Sequence, residues 1–270
     1  MVSHVDMCSD LEFCSVCSDE ALEFVHWFYD ELARGQLFLA FQPVTSVKPG
    51  TIFYYEGLLR HCEGPMKTNP FPILEGRKSI RKLDHCVVSS VISMLRDNPG
   101  IRLGCNVSAQ SAVLDERWSD IIAQLVAEPL LAKRLVIEIT ESALANHDAA
   151  AEFVIRMRSL GCLTAVDDFG SGFSTLEFIR TASPDIIKID KGYLHRARHC
   201  EVAAKAFEHL MGLCQTFVPH VVAEGVEFAS DTERLVHCSA QWMQGFLIAK
   251  PQRVLPGASR HCVVVNYPTP

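Results

Sequence analysis

The sequence of 270 residues lacks several features, and each absence excludes a class of protein. No run approaches the roughly 18 consecutive apolar residues of a membrane span, and the first twenty residues contain acids but no apolar core of a signal peptide. The net charge of −7 argues against neutralisation of duplex-DNA phosphates. The 11 cysteines are irregularly spaced, unlike a secreted disulfide framework. We therefore expect a soluble cytoplasmic protein with no membrane span and no DNA partner.

The bulk composition is that of a globular protein. Hydrophobic residues make up 49% of the chain and charged residues 21%. The length suits one or two domains, and an α/β barrel of about 250 residues would use most of it. We expect a polar, cysteine-bearing leader over residues 1–18, a folded domain over residues 19–255 and a tail over residues 256–270.

The first part of this domain predicts a helix and then a β-hairpin. Apolar residues recur at helical spacing over residues 19–34, and Gly35 ends the helix. A strand over residues 37–41, stopped by Pro43, is expected to pair with residues 51–59 across a Pro49-Gly50 turn. Residues 64–77 predict a long loop.

Short apolar runs then alternate with amphipathic stretches. The runs cover residues 101–105, 135–139, 163–166, 186–189, 220–223 and, less clearly, 241–247. Helical patterns such as residues 149–160 and 201–216 separate them. Apolar strands between helices indicate a parallel sheet that is covered on both faces, so the fold class is α/β. The number of units after the hairpin favours a closed barrel, although the pattern alone also fits an open doubly wound sheet.

Polar side chains follow or interrupt most of these runs. They are Glu56 on the hairpin, Asn106, Glu138, Asp167, Asp168, Lys188 and Glu224. Because the strand ends of such a barrel meet at one rim, these side chains should converge. Any single acid in this position is more often a helix cap, so the prediction depends on their repetition.

A cluster of carboxylates predicts bound cations. The acids would repel one another without positive charge, and an all-oxygen set selects Mg²⁺ or Mn²⁺ over Zn²⁺. The adjacent Asp167 and Asp168 suit two ions that share a carboxylate. Two ions about 4 Å apart are a recurring arrangement for phosphodiester hydrolysis. Lys188 lies within an apolar run, where a buried ammonium group needs partners.

Seven motifs occur in order along the chain, after FQPV at 41–44. They are YEGLLR at 55–60, NVS at 106–108, EITES at 138–142, DDFGSGFSTL at 167–176, IKID at 187–190, AEGVE at 223–227 and QGFLIAKP at 244–251. Together they resemble the EAL family of cyclic di-GMP phosphodiesterases over about residues 21–251. Seven ordered matches make the resemblance specific, although any one of them would be weak.

The resemblance implies a fold, a reaction and partners. The fold is a modified TIM (β/α)8 barrel whose first strand is antiparallel to the others. The reaction is hydrolysis of cyclic di-GMP to linear pGpG by a two-metal mechanism with Mg²⁺ or Mn²⁺, which lowers cyclic di-GMP signalling. A homodimer is implied as well. With no sensor segment expected ahead of the barrel, we expect regulation through the leader, oligomerisation or a regulatory protein partner.

The resemblance also implies roles for individual residues, and they fall into four groups. One ion would be bound by Glu56, Asn106, Glu138 and Asp167, and the second by Asp167, Asp168 and Glu224. Catalysis would involve Lys188, Glu224 and Glu56, with Lys188 holding the attacking water. Substrate contacts would come from Gln42, Leu58, Arg60, Asp190 and Gln244. Anchoring roles would fall to Glu141, which would hold the loop over residues 169–176, and to Glu227, which with Gln244 would orient the ligands of the second ion.

Two departures from the family pattern bear on activity and on substrate affinity, and the second leaves another substrate open. Gly57 replaces the alanine of the signature motif, and residues 64–79, which in the family help frame a guanine, fit poorly. One alternative is a cyclic di-GMP receptor or protein-interaction module on the same fold. Another is a hydrolase of a different phosphodiester, such as linear pGpG. Every expected ligand type is present, which favours the enzyme.

Smaller motifs predict little by themselves. The pair Cys14-x-x-Cys17, with Cys8 nearby, lacks the second pair of a zinc site. His195 and His199 are four residues apart but have no third ligand close by in sequence.

Overall fold

The structure is a computed structural model that describes residues 19–48, 50–140, 147–171, 176–255 and 263–265. The predictions that concern Cys8, Cys14, Cys17, Pro49 and Glu141 lie outside these residues.

Eight strands form a closed barrel. They are β1 (Leu37–Ser46), β2 (Ile52–His61), β3 (Leu103–Ser108), β4 (Leu135–Thr140), β5 (Leu163–Phe169), β6 (Ile186–Ile189), β7 (His220–Ala223) and β8 (Trp242–Met243). Neighbours from β2 to β8 are parallel, and β1 closes the barrel by pairing antiparallel with both β2 and β8. The closed barrel with an antiparallel first strand is therefore confirmed, and the open sheet is excluded.

Helices cover the outside of the barrel. They are α1 (Asp19–Ala33), α2 (Pro70–Gly76), α3 (Ile80–Asp97), α4 (Ser119–Ala127), α5 (Pro129–Ala132), α6 (His147–Ser159), α7 (Leu176–Ala182), α8 (Lys191–Ala197), α9 (Glu201–Phe217) and α10 (Ala229–His237), with a 3-10 turn at Glu116–Trp118. Their apolar faces pack on the outer side chains of the strands and form one large core. None of the helices within the described residues is long and apolar enough to cross a membrane.

A second apolar cluster fills the barrel interior at the amino-terminal ends of the parallel strands. Its members are Val44, Phe53, Tyr54, Val136, Ala165, Ile186 and Val222. The rings of Phe53 and Trp242 stack there with their centroids 4.3 Å apart. This cluster closes one end of the barrel, so the polar side chains described below have access to solvent from the opposite rim.

The predicted hairpin is present, but its first strand is longer than expected. The prediction that Pro43 stops the strand is wrong, because β1 continues to Ser46 and pairs Pro43 with Tyr55. A proline is tolerated where no ladder bond needs its missing N–H. Among the described residues, β1 meets β8 only through Thr45 and Ser46, beyond the proline.

The loop predicted over residues 64–77 contains a helix, and this correction affects the site. Helix α2 begins after Asn69, whose side chain accepts a hydrogen bond from the N–H of Phe71, and Pro70 occupies its first turn. Proline suits this position because the N–H it lacks would have no partner within the helix. The predicted tail likewise includes a short strand, β9 (Val263–Val264), that pairs with β1.

Candidate active site

The Lys188 ammonium group lies at the centre of a ring of carboxylates. Its Nζ is 3.1 Å from Glu56 Oε2, 2.8 Å from Glu138 Oε2, 2.8 Å from Asp167 Oδ1 and 2.9 Å from Glu224 Oε1. Lys188 is 1% exposed and Glu138 is fully buried. These side chains come from β2, β4, β5, β6 and the residue that follows β7. The predicted convergence of the strand ends is therefore present.

Strand register explains why these side chains meet. Asn106 is opposite Glu138 in the β3–β4 pair, and Glu56 is opposite Gly104 in the β2–β3 pair. The two aspartates of β5 lie at an irregularity in its pairing with β6, between Val166 and Phe169. Asp168 has a φ of 51°, in the left-handed region that non-glycine residues rarely occupy. The irregularity places both carboxylates at the rim, which a regular strand with alternating sides would not do.

The electrostatics of the ring require positive charge. Burial alone would lower the pKa of Lys188, but the surrounding carboxylates, led by Asp167 and Glu138, raise it well above its usual value. Burial raises the pKa of Glu138 despite the neighbouring ammonium, and it raises the pKa of Glu224 to about 8. A single ammonium therefore does not compensate the acids around it, and additional cations would favour their ionised forms.

Glu56 is the carboxylate of the ring whose ionised form is best stabilised. Burial would raise its pKa, but Lys188 and hydrogen bonds from Gln244 and Asn106 lower it. Gln244 Nε2 donates to Glu56 Oε2 at 2.6 Å, and Asn106 Nδ2 donates to Glu56 Oε1 at 2.8 Å. Two amide groups thus fix the orientation of this carboxylate.

The donor atoms suit hard divalent cations. Ligand atoms of Glu56, Glu138 and Asp167 lie within 4.8 Å of one another, and so do those of Asp167, Asp168 and Glu224. Because the amide nitrogen of Asn106 is directed at Glu56, its Oδ1 faces away, and this buried oxygen has no hydrogen-bond partner among the described residues. Buried acceptors without donors are costly unless a cation or water completes them. Oxygen atoms from Asp, Glu and Asn are the ligands that Mg²⁺ and Mn²⁺ prefer.

A cavity of about 390 Å³ opens beside this cluster. Arg60 and Leu58, both predicted to contact substrate, line it together with Glu56, Asn106, Asp167 and Asp168. The opposite wall comes from α2, its cap residue Asn69, and α3. A guanidinium group beside a cluster of metal-binding type is suited to a phosphate ester, since Arg can donate two parallel hydrogen bonds to phosphate oxygens.

The remaining predicted residues lie around the site rather than on the cavity wall. Gln42 is buried, donates to the carbonyl of Ala249 and accepts from Gln244. Asp190 caps α8 by accepting from the N–H of Gly192. Glu227 accepts from Arg198 at 2.9 Å. The roles proposed for Gln42 and Asp190 in substrate binding stay predictions.

Several residues around the site carry no signal in the local sequence. The carboxylates of Glu75 and Asp84 line the cavity from α2 and α3, and Arg198 contacts the segment that follows Glu224. Burial raises the pKa of Asp84 to about 7. Glu75 and Asp84 lie on helices and Arg198 directly follows one, so only the folded arrangement places them near the site.

Comparison with known proteins identifies the family to which the chain is similar. Residues 26–251 match the EAL domain family. The chain is 28% identical over 245 residues to the bifunctional diguanylate cyclase/cyclic di-GMP phosphodiesterase MucR of Pseudomonas aeruginosa, covering 87% of this chain and 36% of that protein. It is 29% identical over 234 residues to the cyclic di-GMP phosphodiesterase PdeF of Escherichia coli, covering 83% of this chain and 31% of that protein. The chain thus spans about a third of the length of these relatives.

A solved structure resembles the whole barrel. The PaMucR phosphodiesterase in complex with c-di-GMP superposes with a TM-score of 0.75 at 26% identity, covering 85% of this chain and 97% of that one. The agreement supports the closed mixed barrel as the fold.

Proposed function

This chain belongs to the EAL domain family, and on that premise we propose that it hydrolyses cyclic di-GMP to linear pGpG in a metal-dependent reaction. The observation that carries the proposal is the cluster of candidate oxygen ligands around Lys188, next to a cavity lined by Arg60. The names of MucR and PdeF agree with this substrate.

The residues that would hold two Mg²⁺ or Mn²⁺ ions form two overlapping groups. The first group is Glu56, Asn106, Glu138 and Asp167, and the second is Asp167, Asp168 and Glu224. When bound, such ions polarise phosphoryl oxygens and lower the pKa of a water. Asp167 belongs to both groups, which would hold the ions close together.

The protein's own groups would position the reacting atoms. Arg60, which lines the cavity, would donate hydrogen bonds to a non-bridging phosphate oxygen. Lys188 keeps its proton in the ring of carboxylates and would donate a hydrogen bond to the attacking water. The water would lose a proton as its oxygen bonds to one phosphorus, the bond from that phosphorus to the 3′-oxygen would break, and the 3′-oxygen would take up one proton, so that the water's two hydrogens end on the new phosphate and the 3′-hydroxyl or in solvent. Breaking one of the two esters opens the ring and gives pGpG.

We also propose that the protein acts as a homodimer in the cytoplasm. All seven cysteines within the described residues are free, including the exposed Cys62 and Cys200, which supports a reducing compartment. Light scattering on the purified chain would measure the oligomeric state.

Purified protein should convert cyclic di-GMP to pGpG when Mg²⁺ or Mn²⁺ is present, with the product followed by chromatography. We expect EDTA to abolish turnover and Glu56→Ala to lower it by at least about 100-fold, because the variant loses a ligand that two amides orient. Glu201→Ala is the matched control, since this exposed glutamate contacts only Lys205 among the described residues; its turnover should equal that of the parent.

Three other outcomes would contradict the proposal. Tight binding of cyclic di-GMP without turnover would indicate the receptor function. Turnover of linear pGpG in preference to cyclic di-GMP would identify a hydrolase of another phosphodiester. A Glu56→Ala variant as fast as the parent would show that the ligand assignment is wrong.

A further inference from the structure

The segment that follows β7 carries Glu224, and the side chain of Arg198, the residue directly after α8, makes several hydrogen bonds to it. Building on the proposed function, we propose that Arg198 is a positioning residue for the metal centre, because it fixes this segment and thereby the Glu224 carboxylate. Arg198 follows directly after α8, and its side chain is 13% exposed.

Arg198 uses most of its donors on this one segment. Its Nη2 donates to the carbonyl of Gly225 at 2.8 Å, one residue after Glu224. Its Nη1 donates to Glu227 Oε2 at 2.9 Å. Its Nε and Nη2 donate to the two carboxylate oxygens of Asp231 at 3.0 and 2.8 Å, a bidentate pair. Paired guanidinium and carboxylate groups of this kind fix orientation as well as distance.

Asp231, the ion-pair partner of Arg198, also accepts hydrogen bonds from the backbone of the segment. This aspartate is 1% exposed, and its Oδ2 accepts from the N–H groups of Glu227 and Phe228 at 2.9 and 3.0 Å. The ion pair therefore fixes the first, third and fourth residues after Glu224. Burial alone would raise the pKa of Asp231, but Arg198 and the two N–H groups lower it, which keeps the carboxylate charged.

Close packing leaves the segment little freedom on the side of α8. Gly225 has a φ of 73°, and a Cβ at this position would lie 2.5 Å from Lys191 Cβ and 2.7 Å from His195 Nε2. On its other side, Val226 donates its N–H to the carbonyl of Gln244, the residue whose side chain orients Glu56. The segment therefore contacts Gln244 on one side and α8 on the other, where His195 Nε2 lies 3.2 Å from the carbonyl oxygen of Gly225. Arg198 adds the charged hydrogen bonds, to the Gly225 carbonyl, to Glu227 and to Asp231 of α10.

Glu224 itself depends on this support. Its N–H bonds to the carbonyl of Ile189 at 3.3 Å, and its carboxylate contacts Lys188 at 2.9 Å. Without Arg198, the carbonyl of Gly225 and the carboxylates of Glu227 and Asp231 would lose their shared cation and repel one another. The loss should therefore displace Glu224 and weaken metal binding, beyond any general loss of stability.

The test measures binding of Mn²⁺ alone by isothermal titration calorimetry to the full chain and its variants. We expect Arg198→Gln to weaken Mn²⁺ binding by about 10- to 100-fold, the usual effect of losing a partner that orients a metal ligand. Arg198→Lys should fall between that variant and the parent, because a lysine keeps the charge but not the fork of donors. Cyclic di-GMP turnover should fall through kcat more than through KM, since Arg198 does not line the cavity.

Arg134→Gln is the matched control. Arg134 donates to three backbone carbonyls, those of Leu95, Asn98 and Ile101, away from the carboxylate ring. The Arg134→Gln variant should lose about as much thermal stability as Arg198→Gln but bind Mn²⁺ like the parent.

If Arg198→Gln and Arg198→Lys both bind Mn²⁺ with the parent's affinity, the positioning role is overturned while the proposed function stands. A parent that binds Mn²⁺ but does not turn over cyclic di-GMP would overturn the proposed function while the predicted order of affinities still supports the positioning role. A parent that binds no Mn²⁺ overturns both.

Discussion

At the scale of single residues, Gly104 determines how much space the carboxylates have inside the barrel. A Cβ at this position would lie 2.4 Å from Glu138 Oε1 and 2.8 Å from Tyr54 Cε2, distances that real Cβ atoms do not adopt. Tyr54 and Glu138 are both almost completely buried, so neither can move into solvent. The absence of a side chain at Gly104 therefore lets an aromatic ring and a candidate ligand share the interior.

We predict that Gly104→Ala destabilises the protein and disturbs the metal centre. The added methyl group overpacks the interior, which typically costs about 1 to 3 kcal/mol in the free energy of unfolding, and it displaces the Glu138 carboxylate. Urea denaturation and Mn²⁺ titration measure the two effects.

The same substitution at Gly212 is the control for this prediction. Gly212 lies on α9, where an added Cβ has nothing within 4 Å, so alanine should stabilise the helix by about 0.5 to 1 kcal/mol. Equal stability and equal Mn²⁺ affinity in Gly104→Ala and the parent would contradict the packing argument.

The sequence predicts which residues are candidate ligands, but it does not predict which residues support them. Asn106, Glu138 and Asp167 end apolar runs, and because parallel strand ends meet at one rim, local pattern predicts their convergence. Arg198 and Asp231 are 33 residues apart in helical or connecting segments, and neither interrupts an apolar run. Their pairing depends on how α8 and α10 pack, which spacing along the chain does not determine.

At the scale of elements, the strands were more predictable than their connections. The bounds predicted for β6 and β7 match the structure, because short fully apolar runs leave few other strand positions. The sequence does not predict helix α2, because prolines and polar residues surround it, a composition typical of loops. Pro70 at the helix start and the Asn69 cap are nevertheless helix signals, and they were outweighed by the surrounding composition.

Asp84 connects two elements, and its protonation should make stability depend on pH. It lies on α3, is 4% exposed and accepts from the N–H of Ser108 at the end of β3 at 2.9 Å. Burial raises its pKa to about 7, so the folded state favours the neutral acid. Between the pKa of the unfolded chain and about 7, the folded state binds more protons, and the free energy of unfolding falls as the pH rises. Above about pH 7, Asp84 is ionised in both the folded and the unfolded chain, so its destabilising contribution to the free energy of unfolding is complete and no longer changes with pH.

We predict that Asp84→Asn removes this contribution, because asparagine cannot ionise. From pH 5 to pH 8, the stability of the variant relative to the parent should increase by roughly 2 to 3 kcal/mol. Urea denaturation in EDTA at several pH values measures the difference, and the other buried acids cancel because both proteins contain them. Parallel curves for variant and parent would show that Asp84 is ionised in the folded protein at pH 5.

At the scale of the whole molecule, acidic groups are gathered at one buried rim of the barrel. The chain has a net charge of −7, and four carboxylates meet a single ammonium group at the barrel rim. Crowded acids of this kind oppose folding in the absence of further cations, since burial and mutual repulsion both disfavour their charged forms. The arrangement therefore lowers the stability of the metal-free protein, and a bound cation would offset this cost.

We predict that Mn²⁺ or Mg²⁺ raises the thermal stability of the protein. A cation that binds only the folded state adds about 2.7 kcal/mol when its concentration is 100 times its Kd. For a domain of this size the gain corresponds to a rise in the unfolding midpoint of about 5 to 10 °C, measured by calorimetry against a sample in EDTA. Glu138→Gln should remove most of the rise and unfold at a higher midpoint than the parent in EDTA at neutral pH. Folding of the parent must protonate this buried carboxylate, because burial raises its pKa, and glutamine avoids that cost. The exposed Glu201→Gln should behave like the parent under both conditions. Identical midpoints for the parent with and without saturating Mn²⁺ would mean that the carboxylate ring is already balanced by Lys188 and does not bind metal.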